Sequence, residues 1–323
     1  MRPRALSRRA VACVATLVPV PLASELTSWN LAPLQLLPTV LVSFAYFRRT
    51  RTLKQRGQPV PGWRQFLFWL GIFLLVLAIN SPIDELGETD FFFVHMTQHI
   101  LLGDLAPLCF VVGLTGPVLR PVLAIRPFDK LRVLSLPYVA LPIWAVNLYI
   151  WHVPFLYQAA LHHSAVHALE HILFFTCGAL MWSPVVETLP QPAWFGTGWK
   201  LGYVAIVRLI ETVLGNVFIW SSTAFYPWYE KSLPKWGIDA VQDQNLAGVV
   251  MMIEGSIITL AMLAWLFLKL ASEGELRQNL IDQGYDPVQV KRAVRYGRAR
   301  ALQEAGPPGG RTQGGGTAGE AMK

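Results

Sequence analysis

The residues of this 323-residue chain best suited to chemistry are its seven histidines, and their spacing sorts them into groups. His95 and His99 stand at i and i+4, which on a helix sets both imidazoles on one face about a turn apart. His163, His167 and His171 repeat that interval twice, with His152 before them and His162 between. Imidazoles brought from separate helices to a common depth are what a copper, zinc or iron ion requires. The expected metal ligands are His95, His99, His167 and His171, with His152 as a fifth. Glu170, beside His171, and Asp243 are carboxylates able to orient such imidazoles from behind. Gln98 and Met96 flank the first pair. Thioethers at Met251 and Met252 would favour Cu(I), although packing is the commoner role of methionine in a membrane helix. Cys13, Cys109 and Cys177 are scattered without CxxC spacing, so neither a thiolate site nor a disulfide framework is indicated.

The elements that must position these residues are membrane helices. Only 15% of the residues are charged, against about 25% in soluble domains, and 53% are hydrophobic. A span needs roughly 20 apolar residues. That ruler gives spans near 31–47, 63–80, 91–114, 133–151, 166–186, 201–222 and 246–270. Residues 10–23, after the basic opening MRPRALSRR, fit a short retained span or a signal peptide. The expected fold is all-α: a polytopic transmembrane helical bundle of seven core spans plus that N-terminal segment. Three regions follow: 1–30 as the N-terminal hydrophobic segment, 31–275 as the membrane domain and 276–323 as a tail. Residues 276–305 suggest short amphipathic helices, and the Gly-rich end from Gly306 suggests disorder.

The formal charge of +7 does not indicate nucleic acid, because the basic residues flank apolar runs. Three clusters fall on one side under strict alternation: Arg48 to Arg56, Arg120 to Arg132, and Lys269 to Arg300. By the positive-inside rule that side is cytoplasmic, which puts the C-terminal tail inside and the histidines toward the extracytoplasmic face. Asp104 sits in mid-span and, by helical angle, faces away from His95; Arg208 and Glu211 are spaced to neutralise each other; Glu254 has no partner in its own helix.

Four blocks in series carry a family resemblance. FFFVHMTQHILLGDLAPLCFVVGLTGPV (91–118) resembles the HMxQHxLL signature of the CtaG family, the polytopic cytochrome c oxidase assembly factors. WHVPFLYQAALHHSAVHALEHILFFTCGALMWSPV (151–185), STAFYPWYE (222–230) and DQNLAGVVMMIEGSI (243–257) are similar to its later blocks, and Glu254 departs from the pattern. The resemblance runs over about residues 30–270. It implies a non-enzymatic factor that binds copper and supplies or stabilises a haem–copper oxidase in the bacterial plasma membrane. Its implied partners are oxidase subunits, with periplasmic copper chaperones as donors, in the lipid bilayer. Carried over residue by residue, it marks His95, His99, His152, His167 and His171, with Gln98, Glu170, Asp243 and Gln244 as motif neighbours.

Three other classes share some of these features. HxxxH spacing occurs in membrane di-iron desaturases and oxygenases, but their HxxHH boxes are absent here, and so is the HExxH of zinc proteases. A haem protein would use one histidine from each of two helices, as His99 and His171 could provide. A metal transporter needs a polar path beyond His99, and Asp104, Glu254, Arg208 and Glu211 look too sparse to make one.

Overall fold

A computed structural model describes residues 29, 33–126 and 130–306; the apolar run at 10–23 and the Gly-rich stretch beyond Gly306 lie outside them. The described residues form helices and turns with no strand among them. The helices used below are α1 (Pro33–Gln55), α2 (Gly62–Asn80), α3 (Pro82–Thr89), α4 (Phe92–Gly113), α5 (Pro137–Trp151), α6 (Pro154–His162), α7 (Ser164–Val186), α8 (Thr197–Trp220) and α9 (Ala240–Asp282). Two short helices, α10 (Pro287–Arg295) and α11 (Ala299–Ala305), follow.

Five of these, α2, α4, α7, α8 and α9, are long and apolar enough to cross a membrane, and a sixth crossing results if α5 and α6 act as one. Seven core spans are expected, and five or six meet this measure among the described residues. The helix expected at 31–47 forms as α1, but it carries Arg48, Arg49, Arg51 and Lys54 in its last turns and is not apolar enough to qualify. The span expected at 133–151 is only the 15 residues of α5, which meets α6 at a 72° bend. Pro154 explains that bend: its ring disfavours helical backbone at Val153, which is extended at φ −67°, ψ 127°. His162 closes α6, and His163 stands at the N-cap position of α7.

The acidic segment 81–90, expected as a loop, holds the helix α3. Ser81 caps it by accepting the Ile83 amide at 3.3 Å, Pro82 opens it, and Asp84 and Glu85 lie in its first turn, where the helix dipole favours negative charge.

Contacts divide the chain into two units, Met1–Pro192 with Ala205–Ile258, and Ala193–Val204 with Thr259–Lys323. Glycine sets the packing at the heart of the first. A Cβ at Gly178 on α7 would overlap the carbonyl oxygen of Gly103 on α4, so the two backbones touch there. That close crossing brings the histidines of α4 and α7 together. In the second unit, Leu280, Tyr285, Val290 and Val294 form a small core around α10, and Thr197 Oγ1 donates to Glu273 Oε2 at 2.8 Å. Residue 275, the expected edge of the membrane domain, falls within α9, which continues to Asp282.

Candidate metal centre

The site lies wholly within the first unit, and two helices supply its centre. Helix α4 has no side-chain cap of its own at Phe91. Instead the carboxylate of Asp243, at the start of α9, accepts the amides of Phe92 at 2.7 Å and Phe93 at 3.1 Å. A carboxylate on free helix N-terminal amides both satisfies them and complements the dipole. The cap sits one turn before His95 and fixes where α4 begins. Gln244, next in the chain, accepts the Phe225 amide and donates to the Thr223 carbonyl, pinning the α8–α9 connection. Asp243 and Gln244 thus hold the frame without touching an imidazole.

His95 Nε2 and His99 Nε2 are 2.8 Å apart. Glu170 Oε1 lies 3.6 Å from His99 Nε2, and one ligand atom from each of His95, His99 and Glu170 falls within 4.8 Å of the others. All three residues are buried, Glu170 completely. Neither oxygen of Glu170 has a hydrogen-bond partner, nor has Nδ1 of His99. Buried polar atoms without partners cost about 1–3 kcal/mol each, so such a concentration calls for a ligand. Two imidazoles and a carboxylate form a donor set that a copper, zinc or iron ion accepts. At 2.8 Å the two nitrogens are within hydrogen-bond distance of each other; ligands about 2.0 Å from a tetrahedral ion stand about 3.3 Å apart, so the rings would part by about half an ångström to admit one.

The remaining histidines surround this triad without joining its focus. His152 Nδ1 hydrogen-bonds the Leu148 carbonyl at 2.6 Å, while its buried Nε2 has no partner. Its ring centre lies 6.1 Å from that of His99. His152, His99, Met96 and Met251 line one cavity of about 60 Å³. His167 and His171 line a different and larger one. His167 Nδ1 meets Glu88 Oε1 on α3 at 2.6 Å, and its ring lies 5.5 Å from that of His95 and 4.1 Å from that of His171. Gln98 turns away from the imidazoles and donates to the Ala78 carbonyl and the Asp84 carboxylate, tying α4 to α2 and α3. Burial and the adjacent Glu88 push the Asp84 carboxyl up to about 6.

Two acidic groups take places that the span count alone does not give. Asp84 and Glu88 lie on α3, and their i, i+4 spacing beside a Ser-Pro cap is a signal for one helix face. Asp104, which by helical angle faces away from His95, lines a cavity with His99. It lies in a π-helical turn, Leu101–Leu105. That turn inserts a residue, so Asp104, five after His99, takes nearly the place of a residue four after it. Asp104 accepts a hydrogen bond from Trp182 Nε1 and shares another with Glu254, whose partner thus comes from another helix. Asp104, Glu254 and Glu211 line the same small cavity as His99, and Arg208 donates to Met252 O and Ser256 Oγ nearby. The three acidic groups beyond His99 thus line one cavity with it.

The α8–α9 connection covers the histidine end. Tyr226 donates to the His152 carbonyl at 2.8 Å, Tyr229 donates to the Gly87 carbonyl at 2.8 Å, and Trp228 Nε1 donates to the Glu88 carbonyl at 2.7 Å. Burial raises both phenols, Tyr226 and Tyr229, above the ordinary tyrosine range.

Residues 44–273 match the family profile described as cytochrome c oxidase caa3 assembly factor. No curated protein and no solved structure matches the chain.

Proposed function

We propose, since this chain belongs to the cytochrome c oxidase caa3 assembly factor family, that it holds copper as cargo at His95, His99 and Glu170 and passes it to a haem–copper oxidase during assembly. The observation that carries this reading is the convergence of those three buried residues at one point within the bundle, where neither oxygen of Glu170 has a hydrogen-bond partner. His152 and Met251 stand beside the triad as further ligands during transfer. Copper suits a donor set in which imidazole, carboxylate and thioether lie together, since it accepts all three in one or other valence. The role is delivery rather than catalysis, with oxidase subunits as recipients and periplasmic copper chaperones as donors.

The positive-inside distribution supports an extracytoplasmic position for the histidines in a bacterial plasma membrane. The test is metal analysis of the full-length protein purified from copper-supplemented cells. About one copper per chain is expected for the unaltered protein, with loss of it in Glu170→Gln and His99→Ala, because a missing ligand typically forfeits tenfold or more in affinity. Copper content unchanged in both variants would refute this site.

A further inference from the structure

The triad is sealed from the histidine end by an aromatic cover. Tyr157 and Tyr229 join hydroxyls at 2.7 Å, Phe92 packs against Tyr226 with ring centres 4.6 Å apart, and His95 lies against Tyr157. A cation arriving end-on would have to break that network. The side of the bundle offers another route. A cavity of about 460 Å³ opens between α1, α3 and α7, with Asp84, Glu88 and Ser164 at one end and His167 and His171 further in. Its remaining walls are mainly apolar, including Ile72, Leu75 and Phe175.

The chemistry of this wall is graded. The Glu88 side chain is 41% exposed, whereas His167 is 8% exposed, so the carboxylate meets solvent and the imidazole does not. Glu88 holds His167 through Nδ1, which leaves Nε2 of that ring without a partner, and Nε2 of His171 is also unpartnered and buried. A carboxylate that fixes one imidazole nitrogen commonly frees the other to bind a metal. The His95 ring is the next one inward. The series runs from the exposed Glu88 oxygen to the buried imidazoles of His167 and His171 and on to the triad.

We infer that this cavity is the port by which a hydrated divalent transition-metal ion reaches the triad. Asp84 and Glu88 attract it, and His167 and His171 are the first imidazoles to replace its water. The inference rests on the proposed triad and adds a route to it. A cleft lined by one sign of charge with low-dielectric walls focuses its field, which accelerates capture more than it changes final affinity. Gly87 holds the port in register. A Cβ there would come within 2.9 Å of the His95 backbone, so α3 can lie against α4 only with glycine at that position.

The test is the rate of Cu(II) loading into the full-length protein in lipid nanodiscs, followed by tryptophan quenching, with retention measured separately by metal analysis. Glu88→Gln and Asp84→Asn are each expected to slow association by about tenfold or more and to weaken its dependence on salt. Ser164→Trp narrows the cavity without removing a candidate ligand and should slow both loading and release into a chelator, since a port acts in both directions. Final retention at the triad should stay near that of the unaltered protein in all three. Loading within about twofold of the unaltered rate in Glu88→Gln and Ser164→Trp would overturn the port, because steering and access changes act on association. If Glu170→Gln still abolished retention, the triad would survive that result. An unaltered protein that retains no Cu(II) would overturn both.

Discussion

His167 Nδ1 and Glu88 Oε1 meet at 2.6 Å, joining the middle of the histidine series to a short acidic helix that a sequence reading treats as a loop. Through this pair the surface carboxylate and the buried imidazoles become one connected set. His167 faces Glu88 on one side and His95 and His171 on the other. The pair also explains why seven histidines do not make one seven-ligand site. His95 and His99 converge with Glu170, while His167 and His171 line a separate cavity.

The α4–α7 contact should be intolerant of even one added methyl group. Gly178→Ala places a Cβ against the Gly103 carbonyl, and overpacking of this kind costs about 1–3 kcal/mol. Thermal unfolding in detergent should show the loss, and copper retention should fall with it as the two helices separate. A variant as stable as the unaltered protein would mean that the helices do not approach so closely.

The cap on α4 is remote in sequence but local in space. Asp243→Ala removes the acceptor of the Phe92 and Phe93 amides, at an expected cost of about 0.5–2 kcal/mol. Asp243→Asn retains one acceptor oxygen and should lose less. Unfolding midpoints of the two variants decide this; equal loss in both would point to a role for the charge itself.

Burial raises Tyr226 and Tyr229, so both phenols should remain neutral in the folded protein when exposed tyrosines ionise near pH 10. The sign follows from linkage. The folded state holds these protons more tightly, so the associated stability is fully present below about pH 10 and is lost as pH rises beyond it. An ultraviolet titration of phenolate should therefore have the same amplitude at pH 10 to 11 in Tyr229→Phe as in the unaltered protein. A smaller amplitude in the variant would show that Tyr229 is accessible.

Much of the frame was legible in the sequence because it follows from length and apolarity. The helices α2, α4 and α7 fall close to the expected spans, and the i, i+4 histidines lie on them as their spacing requires. What escaped depends on departures from regular geometry or on contacts between distant segments. Pro154 bends α5 against α6, so a run that counts as apolar enough for one span is two short helices. The π turn at Leu101–Leu105 breaks the 3.6-residue count, and Asp104 lines a cavity with His99. Helix α3 has only eight residues, too few for a periodic pattern to stand out. Asp243 looked like a carboxylate partner of histidine, yet its amide partners lie about 150 positions away in the chain.

The central claim is that His95, His99 and Glu170 hold copper on its way to an oxidase. Its most direct test is the copper content of the haem–copper oxidase isolated from cells whose only copy of this protein carries Glu170→Gln, with the variant's membrane level matched to the unaltered protein. Glu170→Gln preserves shape while removing the charge that a cation needs, and the account predicts an oxidase depleted of copper and correspondingly inactive. A fully copper-loaded, active oxidase from those cells would contradict it.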